Sequence, residues 1–343
     1  MLSVFVTHNR EDRDAYFGRA LPELEAIARV VSNPLDRDLR TSELIEAACE
    51  CEIIVAHRST PGDAELFTAL PALLAFLRCA VDISTIDVGA ASSSGVLVGH
   101  ADKSFVTSTA ELALALMLDV ARHISDSTLD YRNGVQPAQR SGFQISGKTA
   151  GVIGFGAIGS YLSQLLRSVG MTVVVNDPVT DATRAGFEQV GLQELLTRSD
   201  VVFPLAQARP ETENLIDATA LATMRPGSML VNVSRGELLD EDAVAAALDS
   251  GHLAGLGIDV GRAADQCPSP GIASRPGVVA TPHLGGLTPE NADAQALSSV
   301  EQVTAIINGE MPPRVVNPER ADRLLAWWDA NPQSTRFEPR GRP

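Results

Sequence analysis

Three glycines with the spacing G-x-G-x-x-G form the most informative segment of the chain: Gly154, Gly156 and Gly159, with Ala157 and Ile158 between the last two. An apolar strand pattern precedes them, a helical pattern follows, and Asp177 lies 18 positions after the last glycine. In that context the glycines let the backbone approach a pyrophosphate, which amides at the helix N-terminus bind. Asp177 can accept hydrogen bonds from an adenosine ribose and would repel a 2′-phosphate. The segment therefore predicts NAD binding, and the nearby Arg184 keeps NADP as the less favoured alternative.

Two further residues suit a hydride transfer to or from a small acid. Arg235 follows a predicted strand at 229–233, at the sheet edge where open α/β folds bind ligands. Its guanidinium could hold a carboxylate through two parallel hydrogen bonds. His283 follows the last predicted strand, at 277–280, and histidine exchanges protons near neutral pH. Together they predict a site for a 2-keto or 2-hydroxy acid.

The elements that must position these residues alternate between strand and helix, which is typical of parallel α/β sheets. Strands are predicted in the first hundred residues at 4–6, 52–56 and 96–98, with a helix at 20–30, and one long helix at 109–129. Six strands follow, at 150–154, 172–176, 201–205, 229–233, 255–260 and 277–280, and a final helix begins near 288. We predict two Rossmann-like, doubly wound parallel-sheet domains, the larger one binding NAD, with an active-site cleft between them.

Length, charge and cysteine content limit the function classes. The chain has 343 residues, enough for two domains, and 43 acidic against 27 basic residues give a formal charge of −16. That charge argues against nucleic-acid and anionic-membrane partners, which need basic surface. The four cysteines lack metal-ligand spacing, so no metal is predicted. Without a visible signal peptide or transmembrane run, a cytoplasmic location is expected.

Four motifs, in this order and spacing, resemble the D-isomer-specific 2-hydroxyacid dehydrogenase family over about residues 50–317. They are the glycine segment with Asp177, and the stretches Val231–Gly236, Gly257–Val260 and Thr281–Gly286. The resemblance implies that Arg235 binds the substrate carboxylate and that His283 is the acid/base. It also implies that Asp259 lies near the nicotinamide carboxamide and that Val233 contacts the cofactor.

The same resemblance implies a discontinuous domain organisation. The substrate domain is expected at 1–105 plus 287–320, the NAD-binding domain at 106–286, and a separate tail at 321–343. The long helix is expected to take part in a homodimer contact. The tail carries Leu324, Leu325, Trp327 and Trp328, which on a helix would form one apolar stripe that packs on this protein or on its dimer mate.

Substrate contacts are expected in two loops of the substrate domain. His57 and Arg58 follow a strand and could supply a second cationic group, or they could form an exposed polar loop. Val81, Asp82 and Ile83 occupy the position of the family's glycine-rich, carboxylate-binding loop. Asp82 replaces a small residue there, and it could form a local Asx turn or select a substrate with a hydrogen-bond donor.

One departure concerns the residue that normally holds the catalytic histidine. The family places a glutamate five positions after the aspartate of the Asp259-Val260 step, and here that position is Ala264. Asp265 is the favoured replacement partner of His283, Gln266 is the alternative, and the absence of any partner is a third option. The leading function is therefore an NAD-dependent 2-keto acid reductase or D-2-hydroxyacid dehydrogenase. The alternative is an NAD(H)-responsive regulatory protein with weakened catalysis, and a formate-type dehydrogenase would rest on Gln266 alone.

Overall fold

A computed structural model describes residues 1–263 and 265–331. The chain divides into two compact units. Unit 1 comprises Met1–Ser104 together with the chain from Pro289 on, and unit 2 is the continuous stretch Phe105–Thr288.

Each unit contains one parallel β-sheet. Unit 1 has β1 (Ser3–Val6), β2 (Arg29–Ser32), β3 (Ile53–Ala56), β4 (Ala75–Arg78) and β5 (Leu97–His100), in the order β2-β1-β3-β4-β5. Unit 2 has β6 (Thr149–Ile153), β7 (Thr172–Asn176), β8 (Glu188–Gln189), β9 (Val201–Pro204), β10 (Ser228–Asn232), β11 (Leu253–Ile258) and β12 (Val278–Ala280). Their order is β12-β11-β10-β9-β6-β7-β8. The predicted fold class, two parallel α/β sheets, is confirmed.

Helices connect the strands, as parallel pairing requires. They are α1 (Arg10–Asp12), α2 (Ala20–Ile27), α3 (Thr41–Ala47), α4 (Ala64–Ala69), α5 (Val88–Ser93), α6 (Phe105–Arg122), α7 (Ile124–Arg132), α8 (Ala157–Ser168), α9 (Leu192–Arg198), α10 (Ala218–Thr223), α11 (Glu241–Asp249), α12 (Pro270–Ala273), α13 (Pro289–Ile307) and α14 (Asp322–Ala330). Among the residues described, no helix has the length and apolar character needed to cross a membrane.

Three predictions about individual elements are wrong. The helix expected at 109–129 is interrupted at His123, which has a left-handed φ of 54°. There the carboxylate of Asp119 accepts a hydrogen bond from the amide of Ser125 at 2.8 Å. This bond replaces the one that the amide would make to a backbone carbonyl in a continuous helix. The helix expected at 20–30 ends at Ile27 because the chain enters β2 at Arg29. The prediction of six strands for unit 2 missed the two-residue edge strand β8.

The C-terminal helices complete the core of unit 1. Buried side chains of α13 and α14, such as Val303 and Leu324, belong to the same apolar cluster as Val4 of β1. The indole of Trp328 packs on this cluster and donates a hydrogen bond to the carbonyl of Ile306 at 2.8 Å. The single apolar stripe predicted for the tail is wrong for one member, Leu325, which is 41% exposed. The rest of that predicted tail, 332–343, lies outside the described residues.

Candidate active site

The glycine turn has the backbone geometry that its spacing predicts. Gly154 adopts a φ of 100°, and a Cβ on Gly159 would stand 2.0 Å from the carbonyl oxygen of Gly154. Gly156 precedes the first residues of α8, Ala157 and Ile158, and no side chain caps this helix. Nothing lies within 4 Å of the place where a Cβ on Gly156 would stand. The turn thus offers helix N-terminal amides beside open space, which fits the phosphates of a dinucleotide.

Asp177 is held at the end of β7 by three backbone amides. Its Oδ2 accepts from Phe155 N at 2.6 Å, and its Oδ1 accepts from Val179 N and Thr180 N at 2.8 and 2.7 Å. Burial by itself would raise the pKa of Asp177, but these hydrogen bonds outweigh it, so the pKa of the carboxyl is lowered. The residue is therefore an ionised acceptor in a fixed orientation, as binding of a ribose hydroxyl requires.

A cavity of about 330 Å³ opens beside this carboxylate. The residues that line it are Asp177, Pro178, Val179, Thr180, Asp181, Thr183 and Gln189. Its position at the carboxyl end of β7, in the same unit as the glycine turn, suits the adenosine half of a dinucleotide.

Asp259 organises the loop that follows β12. Its side chain is fully buried, and its Oδ1 accepts from the hydroxyl of Thr281 at 2.6 Å and from Leu284 N at 2.7 Å. Its Oδ2 accepts from Gly285 N at 2.9 Å. Contact of this carboxylate with a nicotinamide stays a prediction, whereas its hold on residues 281–285 is directly visible.

His283 lies within that loop in a left-handed conformation, with φ at 56°. Its amide donates to the carbonyls of Asp259, at 2.9 Å, and of Thr281, at 3.0 Å. The side chain is half-buried. Because a left-handed φ is costly for a residue with a side chain, these backbone hydrogen bonds are needed to maintain the loop conformation.

Arg235 sits on the turn after β10, where Asn232 shapes the backbone. The buried Asn232 donates through Nδ2 to the carbonyl of Arg235 at 2.8 Å and accepts from Ser234 N at 3.0 Å. Val233, in the same turn, is buried. A Cβ on Gly236 would lie 2.3 Å from the backbone of Gly261, so this turn packs directly against the segment that follows β11.

A second arginine ties the same two segments together. Arg262 donates to the carbonyls of Glu237 at 3.0 Å and Leu239 at 2.8 Å, directly after Arg235. It also hydrogen-bonds the carboxylate of Glu213 and the side chain of Asn214. Arg262 therefore links the segment after β11 to the one after β10.

The replacement partners proposed for His283 occupy a tight turn. Oδ1 of the exposed Asp265 accepts from Cys267 N at 3.0 Å, and Gln266 has a left-handed φ of 58°. Ala264, the departure from the family pattern, lies outside the described residues. The pairing of His283 with Asp265 or Gln266 stays a prediction.

In unit 1, His57 and Arg58 follow β3 as expected. The Nδ1 of His57 is 2.9 Å from the hydroxyl of Ser59 and 3.9 Å from the carboxylate of Asp12. Burial lowers the pKa of His57, although Asp12 and Asp38 act in the opposite direction. Arg58 is exposed.

The other predicted substrate loop of unit 1 carries Val81, Asp82 and Ile83. Asp82 is exposed, and its Oδ1 accepts from Ser84 N at 2.9 Å, which is the expected Asx turn. Val81 and Ile83 are half-buried. Substrate binding by these three residues stays a prediction.

Arg78 joins these two loops and was missed by the sequence reasoning. It is fully buried and donates to the carbonyls of His57 and Thr60, the latter at 2.7 Å, and to the hydroxyl of Thr85 at 2.9 Å. Burial lowers its pKa to about 10, which leaves it charged at neutral pH. Its position gave a usable sequence signal, since a charged residue ends an otherwise apolar strand. The polar Asn232 at the end of β10 gave a similar signal. Arg262 and Thr281 gave no such signal.

Comparison with known proteins identifies the family. Residues 114–285 match the family model described as "D-isomer specific 2-hydroxyacid dehydrogenase, NAD binding domain". The chain belongs to this family. The predicted resemblance is confirmed, and so is the prediction that the chain binds NAD.

Individual members of the 2-hydroxyacid dehydrogenase family align over most of the chain. D-3-phosphoglycerate dehydrogenase of Mycobacterium tuberculosis (strain ATCC 25618 / H37Rv) is 38% identical over 293 residues, which cover 84% of this chain and 54% of the relative. Glyoxylate reductase of Korarchaeum cryptofilum (strain OPF8) is 31% identical over 284 residues, covering 80% of this chain and 86% of the relative. The chain thus spans about half the length of the phosphoglycerate dehydrogenases that it matches.

Solved structures of the same fold also align. A glyoxylate reductase from Paecilomyes thermophila superposes with a TM-score of 0.77 at 25% identity, over 93% of this chain and 99% of that chain. Apo D-lactate dehydrogenase from Escherichia coli superposes with a TM-score of 0.78 at 24% identity, over 92% of this chain and 100% of that chain. The second likeness concerns the fold alone.

Proposed function

We propose that this 2-hydroxyacid dehydrogenase family member transfers a hydride between NAD(H) and C2 of a 2-keto or D-2-hydroxy acid. The observation that carries the proposal is the end of β11. There the carboxylate of Asp259 accepts hydrogen bonds from the His283 loop. The amide of Asp259 donates to the carbonyl of Asn232, whose side chain shapes the Arg235 turn. An acid/base and a guanidinium thus follow the two strands that flank β11, at the carboxyl edge where this fold binds ligands.

Arg235 and His283 have different roles toward the substrate in this proposal. The guanidinium of Arg235 binds the carboxylate and places positive charge near the carbonyl oxygen as charge develops there. His283 gives a proton to the substrate oxygen in reduction and takes one from the hydroxyl in oxidation. NAD, when bound, supplies or accepts the hydride.

Two further assignments belong to the proposal. Asp265 is the partner that orients the His283 imidazole, with Gln266 as the alternative. Substrate binding by unit 1 involves His57, Arg58, Val81, Asp82 and Ile83. The polar and charged residues among them favour small polar 2-keto acids over bulky aliphatic ones.

The enzyme is further proposed to act as a homodimer that uses α7 and the residues after it. Ile124, Leu129, Tyr131 and Val135 are each more than half exposed, which is a concentration of apolar surface within a short segment. Sedimentation velocity tests this assignment. A dimer that Leu129→Glu converts to a monomer supports it, and a wild-type monomer contradicts it.

The central experiment measures NADH oxidation with a panel of keto acids. The panel contains glyoxylate, pyruvate, hydroxypyruvate, its 3-phosphate and bulkier 2-keto acids. Turnover of at least one, reduced by about 100-fold or more in His283→Ala, is expected from loss of the acid/base. His252→Ala is the matched control, because His252 precedes β11 at the opposite edge of the same sheet. Tight NADH binding without turnover across the panel would contradict the proposal and favour the regulatory alternative.

A further inference from the structure

The adenosine cavity of unit 2 is bordered by an ion pair that the glycine motif does not include. Asp181 precedes a 3-10 turn at Ala182–Ala185, and its Oδ1 accepts from Thr183 N at 3.1 Å. The Nε of Arg184 donates to Oδ2 of the same carboxylate at 3.2 Å. The side chain of Arg184 is 86% exposed, so it lies on the outer surface against Asp181.

The two members of this pair differ in their relation to the cavity. Asp181 is one of the lining residues, together with Asp177, whereas Arg184 is not. None of the described lining residues is a lysine or an arginine. The formal charges on the wall of the cavity are therefore two carboxylates.

We propose that Asp181 is a second determinant of the choice of NAD over NADP. It adds a negative charge to the cavity wall, and it holds the nearby Arg184, whose guanidinium could otherwise turn toward a 2′-phosphate, in an ion pair. This inference concerns the cofactor alone and is independent of which acid the enzyme reduces.

Electrostatics gives the direction of the effect. A phosphate monoester carries about −1.5 to −2 charges at neutral pH, whereas the 2′-hydroxyl of NAD is a neutral donor. Hydrogen bonds from the side chain and amide of Thr183 and from Arg184 lower the pKa of Asp181, so this carboxylate stays ionised. Both carboxylates repel the phosphate, and the guanidinium that could offset them is already paired.

Calorimetric titration of the apoprotein with NAD⁺ and NADP⁺ tests the proposal without reference to activity. In Asp181→Asn, loss of the repulsion and release of Arg184 each contribute about fivefold, so NADP⁺ is expected to bind about 25-fold tighter. The affinity for NAD⁺ is expected to change by less than about twofold, since its hydroxyl is uncharged. Asp249→Asn is the matched control, because Asp249 also pairs with an arginine, Arg275, but does not line the cavity.

The contribution of Arg184 is separated by a double variant. Asp181→Asn with Arg184→Ala is expected to retain only the fivefold gain that comes from removing the repulsion. The proposal is overturned if Asp181→Asn alters NADP⁺ affinity no more than Asp249→Asn does, or if it alters NAD⁺ and NADP⁺ equally. A gain of about 25-fold that persists in the double variant would overturn the role of Arg184. Thermal unfolding of each variant shows whether it is folded under the titration conditions.

Discussion

The carbonyl of Asp259 accepts a hydrogen bond from the amide of His283 at 2.9 Å, while its carboxylate accepts three more from the same loop. The end of β11 and the His283 loop are thus joined by a single residue through both its backbone and its side chain. Since the side chain is fully buried, bulk water cannot replace these hydrogen bonds if they are lost.

Asp259→Ala is expected to lower the free energy of unfolding by about 3 kcal/mol or more, because it leaves the buried amide of Gly285 without an acceptor and removes two further hydrogen bonds. Asp240→Ala is the comparison, since Asp240 accepts one amide at the start of α11 and its loss should cost about 1 kcal/mol. Urea unfolding measures both values. Equal costs would show that the hold of Asp259 on the loop adds little.

Gly236→Ala tests the close approach of the Arg235 turn to the segment after β11. The new Cβ would stand 2.3 Å from the backbone carbon of Gly261, so one of the two segments must move. We expect a loss of about 2 kcal/mol or more in stability and a lower kcat/KM. Gly191→Ala, with φ at −67° and nothing within 4 Å of its Cβ position, should change both by little. Similar behaviour of the two variants would contradict the packing argument.

Arg262→Ala tests a positioning residue. Without its hydrogen bonds to the carbonyls of Glu237 and Leu239, the Arg235 turn should become less ordered. We expect KM for the keto acid to rise by about tenfold, with a smaller change in kcat and no change in the Kd of NADH. Arg225→Ala, which removes an exposed partner of Asp200, is the control. An equal effect on NADH affinity would indicate a general disruption of unit 2.

Stability is expected to fall as the pH is lowered through the range set by His8. Burial, with smaller contributions from His57, Arg78 and Arg13, lowers the pKa of His8 from 6.5 to about 3. Between these values the unfolded chain binds a proton that the folded chain does not, so unfolding is favoured as the pH falls below about 6.5. The slope is up to about 1.4 kcal/mol per pH unit.

His8→Phe should remove that slope, because phenylalanine does not titrate and Nδ1 of His8 lacks a hydrogen-bond partner among the described residues. Urea unfolding of the variant and the wild type at pH 7, 6 and 5 gives the comparison. The difference in stability between the two proteins should shift steadily in favour of the variant. A difference in stability that stays constant over this pH range would show that His8 does not contribute to the loss of stability in acid.

The strands and the nucleotide turn could be predicted because their signals are local. Apolar runs such as Thr172–Asn176 and glycines at fixed spacing specify backbone geometry within a few residues. The break at His123 could not, since it depends on a side chain of one turn competing for the amide of another. Nor could β8, whose Glu188 and Gln189 have no apolar pattern and pair only through their backbone with β7.

Candidates for the reacting residues could be named from the sequence, but the residues that hold their loops could not. Arg235 and His283 are recognisable by position after a strand. Arg262 donates to backbone carbonyls 25 and 23 positions away in sequence, and Arg78 donates to carbonyls 21 and 18 positions away in unit 1. Such contacts depend on which strands become neighbours, and a carbonyl acceptor has no signature in sequence.

The discontinuity of unit 1 determines the order in which the protein can mature on the ribosome. Its core includes Val303 and Leu324 beside Val4, so a nascent chain that ends at residue 288 holds all of unit 2 but lacks two helices, α13 and α14, that pack in the core of unit 1. Domains that are continuous in sequence usually fold in the order of synthesis. Here the N-terminal strands emerge first together with α2, whose Leu24 belongs to the same cluster. The part of this apolar face that α13 and α14 cover stays exposed during translation of the entire nucleotide-binding unit.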